Sequence, residues 1–204
     1  MSKSIIYPPI GISGSALSGK DSLCTYIIYI LDLYYNIKAK RCSIAGDKIK
    51  NDLKEMLFSK IGAEIDLNDP IQKEKVRPLM VEYGRYMRNR TMGRYFIENI
   101  DNSLFGKGYI PIIPDIRYAE FEKDEIFWLK TEKKGLLIFI DRENNPPANE
   151  FEEKNNIILK KEANIVINAP NLFSTEKYLD FMEDYVYDII TTYLRDISPL
   201  LDKS

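Results

Sequence analysis

An α/β fold, with a mainly parallel five-stranded sheet flanked by helices, is predicted by three features of this 204-residue chain. Strand patterns recur at 5–12, 41–46, 109–114, 136–141 and 164–168. Helical patterns at 20–36, 47–60, 71–89, 92–105, 117–130 and 174–195 separate or follow them. Strands that alternate with helices form parallel sheets with both faces covered. The third feature is a glycine-bearing turn, Gly14 to Gly19, set between the first strand and the first helix. With 45% hydrophobic residues the chain can bury one sizeable core, so residues 1–204 are read as a single domain.

Each element has its own warrant. The first strand is the apolar run Ile5-Ile6-Tyr7-Pro8-Pro9-Ile10-Gly11-Ile12, and the first helix carries apolar periodicity from Leu23 to Tyr35. The second strand ends at Ala45-Gly46, where Asp47 is suited to open a helix. An Arg-rich helical stretch, about 60–106, follows as an insertion. Ile110-Pro111-Ile112-Ile113 and Leu136-Leu137-Ile138-Phe139-Ile140 are short apolar runs of the central parallel kind, although Pro111 and Pro114 count against a strand because proline cannot donate to a ladder. The polar stretch Arg142 to Asn156, with Pro146-Pro147, is read as a surface loop.

The turn reads GSALSGKDS from Gly14 to Ser22, matching G-x-x-x-x-G-K after a strand and before a helix. Glycines let amide N–H groups face inward, Lys20 can reach β- and γ-phosphates, and the helix start adds positive potential. The pattern predicts that Gly14, Ser15, Ser18, Gly19, Lys20, Asp21 and Ser22 form a nucleotide cradle of the P-loop NTPase fold, the plainer alternative being a glycine-rich turn that only joins the strand to the helix. The residue after the lysine usually bears a hydroxyl for magnesium. Here it is Asp21, with Ser22 next. A carboxylate is also a hard oxygen ligand, so Asp21 and Ser22 are metal candidates; alternatively Asp21 only favours the positive helix start.

Three further constellations lie where α/β sheets bind ligands, beyond the carboxyl ends of strands. In Ala45-Gly46-Asp47-Lys48-Ile49-Lys50, Asp47 and Lys50 are candidates for an acceptor site, with helix capping as the plainer role of Asp47. The run Arg77 to Arg94 holds five arginines, whose planar forks match phosphate oxygens. Arg77 and Arg88 are the acceptor candidates, with Arg85 secondary and Tyr83 a possible stacking partner for a base. In Pro114-Asp115-Ile116-Arg117, Asp115 is placed to hold a magnesium-bound water and Arg117 to meet transferring phosphate charge; a local ion pair is the alternative.

Composition excludes other chemistry. Histidine is absent, which removes His-based acid–base catalysis and most zinc sites. The formal charge of −2 gives no electrostatic case for a nucleic-acid partner. No long uncharged apolar run predicts a membrane span, and the amino terminus lacks a signal-peptide layout. Cys24 and Cys42 are read as reduced, buried groups.

In this order GSALSGKDS, AGDKIK, Arg77 to Arg88 around Gly84, PDIRYAEFE, a Pro-rich acidic loop and EANIVINAP resemble the deoxynucleoside monophosphate kinases of bacteriophages and their P-loop relatives. Asp21 matches the family's aspartate after the loop lysine, Asp47 and Lys50 its second motif, and Asp115 and Arg117 its aspartate-x-arginine. The chain departs from the family pattern in Ser15-Ala16-Leu17-Ser18, at Gly46 and at Glu82. The resemblance implies an ATP- and Mg²⁺-dependent phosphotransferase with Lys20, Arg88, Asp115 and Arg117 as catalytic groups. It also implies the 142–156 segment, with Arg142, near the adenine, and an Arg-rich helical side that moves on closure. Nucleotides are the expected partners, with a homodimer possible and the cytoplasm, a host cell's if the chain is viral, the expected location. Two alternatives stay open: a P-loop kinase of another small phosphorylated metabolite, of phosphomevalonate or dephospho-coenzyme A type, and a nucleotide-gated binding protein without transfer.

Overall fold

A computed structural model describes residues 7–62, 65–104, 108–171 and 175–201. The expected strand positions Ile5 and Ile6, and the expected helix ends at 105 and 174, lie outside the described residues. The sheet is five-stranded and wholly parallel, in the order β2-β3-β1-β4-β5, with β1 Ile10–Gly14, β2 Ala39–Arg41, β3 Ile110–Ile113, β4 Leu136–Arg142 and β5 Ile165–Ala169. Helices α1 Lys20–Tyr35, α2 Gly46–Ile61, α3 Pro70–Thr91, α4 Arg94–Leu104, α5 Glu150–Glu162 and α6 Thr175–Leu201 flank it, with a π-helical turn at Phe127–Glu132.

Alternation along the strands divides the core into two layers. Ile138 and Ile140 of β4 face a cluster with Ile10, Ile12, Leu23, Ile27 and Val186, under α1 and α6. Leu137 and Phe139 face the other side with Phe96, Ile97, Trp128 and Leu159. Burial of both faces explains why β4 is a continuous apolar run rather than an alternating one.

Pro111 is accommodated because of register. The Ile110 N–H donates to Lys38 O just before β2 and Ile112 O accepts from Cys42 N–H just after it, so residue 111 turns its missing donor toward β1. The β1 ladder begins only at Ile112, opposite Ile10. Strand β2 is shorter than predicted and lies earlier, at 39–41.

Two segments differ in kind from expectation. The predicted helix 117–130 is mostly irregular, because its amides are drawn to side chains: Arg117 and Tyr118 N–H donate to Glu125, Ala119 N–H to Asn155, and Phe121 N–H to Asp124. Side-chain acceptors of this kind compete with helix formation. Conversely, the expected loop 142–156 contains the start of α5. Asn149 caps the helix by accepting the Glu152 N–H at 2.9 Å, and the Glu152 carboxylate returns to Ala148 N–H at 2.6 Å, a variant of the reciprocal capping box.

Candidate functional site

The turn Gly14–Gly19 leaves the carboxyl end of β1, the middle strand, and leads straight into α1. Gly14 has φ 137°, and a Cβ there would stand 2.4 Å from the Ile140 carbonyl of β4 and 2.8 Å from Ser18 Oγ. Glycine is thus what allows the chain to turn off the strand at that point. Lys20 folds back across the turn, its ammonium donating to Gly14 O at 2.8 Å, Ser15 O at 2.6 Å and Ser18 Oγ at 3.4 Å. Lys20 is only 8% exposed. Burial, and then the nearby Arg117 charge, lower its pKa from the ordinary 10.5 to about 8.

A second segment clasps the same turn. Arg142 Nη1 donates to Leu17 O at 2.9 Å, Asn145 to Ala16 O at 2.8 Å and Asn156 to Ser15 Oγ at 2.9 Å. The Ala16 N–H donates to Glu152 Oε1 at 3.1 Å, so a carboxylate already accepts from one of the turn's amides. Asn145, Glu152 and Asn156 were not singled out by sequence reasoning. The Asn149-x-x-Glu152 capping pattern was the available signal for α5, but nothing local says that the helix meets the turn.

Beside the turn, on the carboxyl edge of the sheet, lies a cavity of about 230 Å³ between α2, α3 and the segment after β3. Lys50, Lys73, Arg77, Arg88 and Arg117 line it against one carboxylate, Asp115. Ile49 and Met80 supply apolar wall. Lys73, Arg77, Met80, Gly84 and Arg88 recur at helical spacing, so one face of α3 carries most of the cationic lining. Lys73 is the member that sequence reasoning missed, although the four-residue step to Arg77 was readable.

Arg88 is 4% exposed, with Nη1 2.8 Å from Glu125 Oε1. Arg85 lies on the exposed side of α3, 4.0 Å from Glu82. Arg77 is exposed and bonded to Glu74 at 2.7 Å. Tyr83 does not line the cavity: its hydroxyl donates to Asp52 at 3.0 Å, joining Tyr95 and Lys48 on the same carboxylate. Asp47 is exposed at the start of α2, outside the cavity lining.

The two carboxylates considered for a metal are placed differently. Asp21 is exposed, with Arg41 Nη2 at 2.9 Å from Oδ1, and Ser22 is half-buried beside it. Exposed pairs of this kind contribute at most about 1 kcal/mol, so Asp21 can exchange Arg41 for an ion. Asp115 accepts from Ser43 Oγ at 2.8 Å and from the N–H groups of Ile44, Ala45 and Gly46 at 2.9, 3.3 and 3.4 Å. Those four donors match a carboxylate's acceptor sites, so direct metal ligation would require Asp115 to release some of them. Among the described residues no group of three or more His, Cys, Asp or Glu side chains could by itself hold a metal ion. No helix is long and apolar enough to cross a membrane among the described residues.

Lys20 yields a prediction with opposite signs for folding and for binding. Because the folded chain loses this proton before the unfolded chain does, the group's contribution to stability rises with pH between about 8 and 10.5. A phosphate anion favours the ammonium, so its affinity should fall over the same interval, with proton uptake on binding. Calorimetry of pyrophosphate binding at pH 7 and pH 9.5, in buffers of different ionisation enthalpy, should show weaker binding and more proton uptake at the higher pH. Equal affinity and no uptake would remove Lys20 from the anion's surroundings.

No protein-family model matches the chain, and no curated protein matches it.

Proposed function

We propose that the chain has the P-loop NTPase fold and transfers the γ-phosphoryl group of ATP to a deoxynucleoside 5′-monophosphate, giving the diphosphate and ADP. One observation carries the reading: a five-cation cavity stands beside the glycine turn, close enough that the Arg117 charge acts on Lys20. A cradle alone suits any nucleotide binder, whereas a second cationic pocket next to it suits a second phosphorylated substrate. At about 230 Å³ the cavity falls short of the roughly 300–1,000 Å³ of ordinary ligand clefts, so it fits the charged end of a nucleotide.

In this reading the turn's amides and Lys20 hold the β- and γ-phosphates. Lys20 exchanges the Gly14 and Ser15 carbonyls for phosphate oxygens, and the Ala16 N–H is freed from Glu152. Arg77, Arg88, Lys50 and Lys73 hold the acceptor phosphate, and Arg117, between the two sites, meets charge that develops on the transferring group. Helices α3 and α4, within the stretch 60–106, form the acceptor side, and Arg142 with the 142–149 strap lies on the ATP side. Asp21, with Ser22, would hold magnesium, which supplies charge neutralisation on the phosphates. Asp115 keeps the start of α2, and with it Lys50, in place. An ionised phosphate is its own nucleophile and needs no general base, in keeping with a chain without histidine. Such catalysis is positioning and electrostatics.

The test is ADP formation from ATP and magnesium with each common deoxynucleoside monophosphate, its ribose counterpart and no acceptor, the products being separated by chromatography. Acceptor-dependent ADP with matching deoxynucleoside diphosphate is expected. Acceptor-independent hydrolysis, or ATP binding without turnover, would overturn the reading.

A further inference from the structure

Resting on the acceptor-site reading above, we infer that Glu125 is the positioning residue that fixes Arg88 and the Arg117–Tyr118 turn as one preset wall of the cationic cavity. Glu125 lies outside every motif described above and is 1% exposed. Its Oε2 accepts the backbone N–H of Arg117 at 2.8 Å and of Tyr118 at 3.2 Å. Its Oε1 stands 2.8 Å from Arg88 Nη1, an ion pair without the alignment of a hydrogen bond. One carboxylate therefore ties α3 to the segment after β3, and all three residues it touches line the cavity.

The rest of the cluster acts in the same direction. The Arg88 guanidinium carbon lies 3.2 Å from the centroid of the Tyr118 ring and 5.3 Å from that of Phe96, so aromatic contacts add to what holds the group in place. Asp124, 3% exposed, accepts the N–H groups of Phe121 before it and Ile126 after it, and the π-helical turn begins at Phe127. A buried charge pair is costly to assemble and by itself adds little stability. What it supplies is an arginine desolvated and oriented before the anion arrives, so that little ordering remains to be done on binding.

Steady-state kinetics on the full chain test this, with ATP and each of the common deoxynucleoside monophosphates. Glu125→Gln keeps an oxygen for the Arg117 and Tyr118 amides and removes the charge beside Arg88. The expected result is an acceptor KM raised roughly tenfold or more, about 1.4 kcal/mol for each tenfold, with the ATP KM within about twofold of wild type. A second variant guards against misfolding: Glu125→Gln combined with Arg88→Met removes both charges of this buried pair. If Glu125 acts through Arg88, the double variant should match Arg88→Met in acceptor KM rather than multiply the two effects. Emission from Trp128, the single tryptophan and buried three residues along, reports whether the local packing is intact. A folded Glu125→Gln protein with wild-type acceptor KM, or with both KM values raised equally, overturns the inference and leaves the kinase reading standing. A wild-type protein that uses no monophosphate overturns the kinase reading, and the inference with it.

Discussion

Lys20→Ala is expected to reduce phosphoryl transfer by roughly 10²–10³-fold or more, the range seen when one preorganised donor to transition-state charge is removed. The ammonium sits in the turn with three protein acceptors and little access to water. A low-dielectric setting strengthens an ammonium's attraction for phosphate oxygens, which is why the loss expected from removing this one side chain is large. Folding should survive, because the substitution also removes a charge whose burial is unfavourable, as its lowered pKa shows. Thermal melts close to wild type with turnover near background are the expected pair of results. Turnover unchanged in a folded variant would sink the assignment of the cradle.

Gly14→Ala should have the largest effect on the fold around the site. A methyl there would meet the Ile140 carbonyl at 2.4 Å, and Ile140 is the ladder partner of Gly14 across β1 and β4. Backbone strain at φ 137° costs about 1–3 kcal/mol, and forcing apart packed strands adds about 1–3 kcal/mol. The expected outcome is a marked fall in Tm together with loss of ATP binding. Gly62→Ala is the matched comparison, since Gly62 ends α2 at φ 64° with nothing within 4 Å of a Cβ. It should cost only about 1–2 kcal/mol, the left-handed penalty alone, and leave nucleotide binding unchanged. Equal behaviour of the two variants would mean that Gly14 is only a flexible turn.

The sheet was legible because parallel strands covered on both faces must be apolar throughout, as Leu136 to Ile140 is. The glycine turn was legible because its demands are local: a glycine at the strand exit, a lysine and a following helix. The α3 face was half legible. Arg77 and Arg88 lie on it at helical spacing, whereas Arg85 and Tyr83 fall on other faces, which composition alone could not separate. What escaped was set by contacts between distant segments. Glu125 and Asn155 divert the amides of 117–119 and dissolve a helix that local periodicity favoured. Glu152 joins α5 to a turn 136 residues earlier. Neither pairing leaves a trace in spacing, because each is decided by how the helices lie on the sheet.

The central claim is that the glycine turn and the cationic cavity form one reaction centre for two nucleotides. It is tested most directly by calorimetry with an analogue in which adenosine and a deoxynucleoside are joined 5′ to 5′ through a polyphosphate chain, set against ATP and the monophosphate alone. If the two sites are adjacent and act together, the joined analogue should bind on the order of 10²-fold or more tightly than ATP, through the effective concentration its second half gains. Binding no tighter than ATP, unaffected by saturating monophosphate, would show that the cavity does not receive the second nucleotide and would contradict the account.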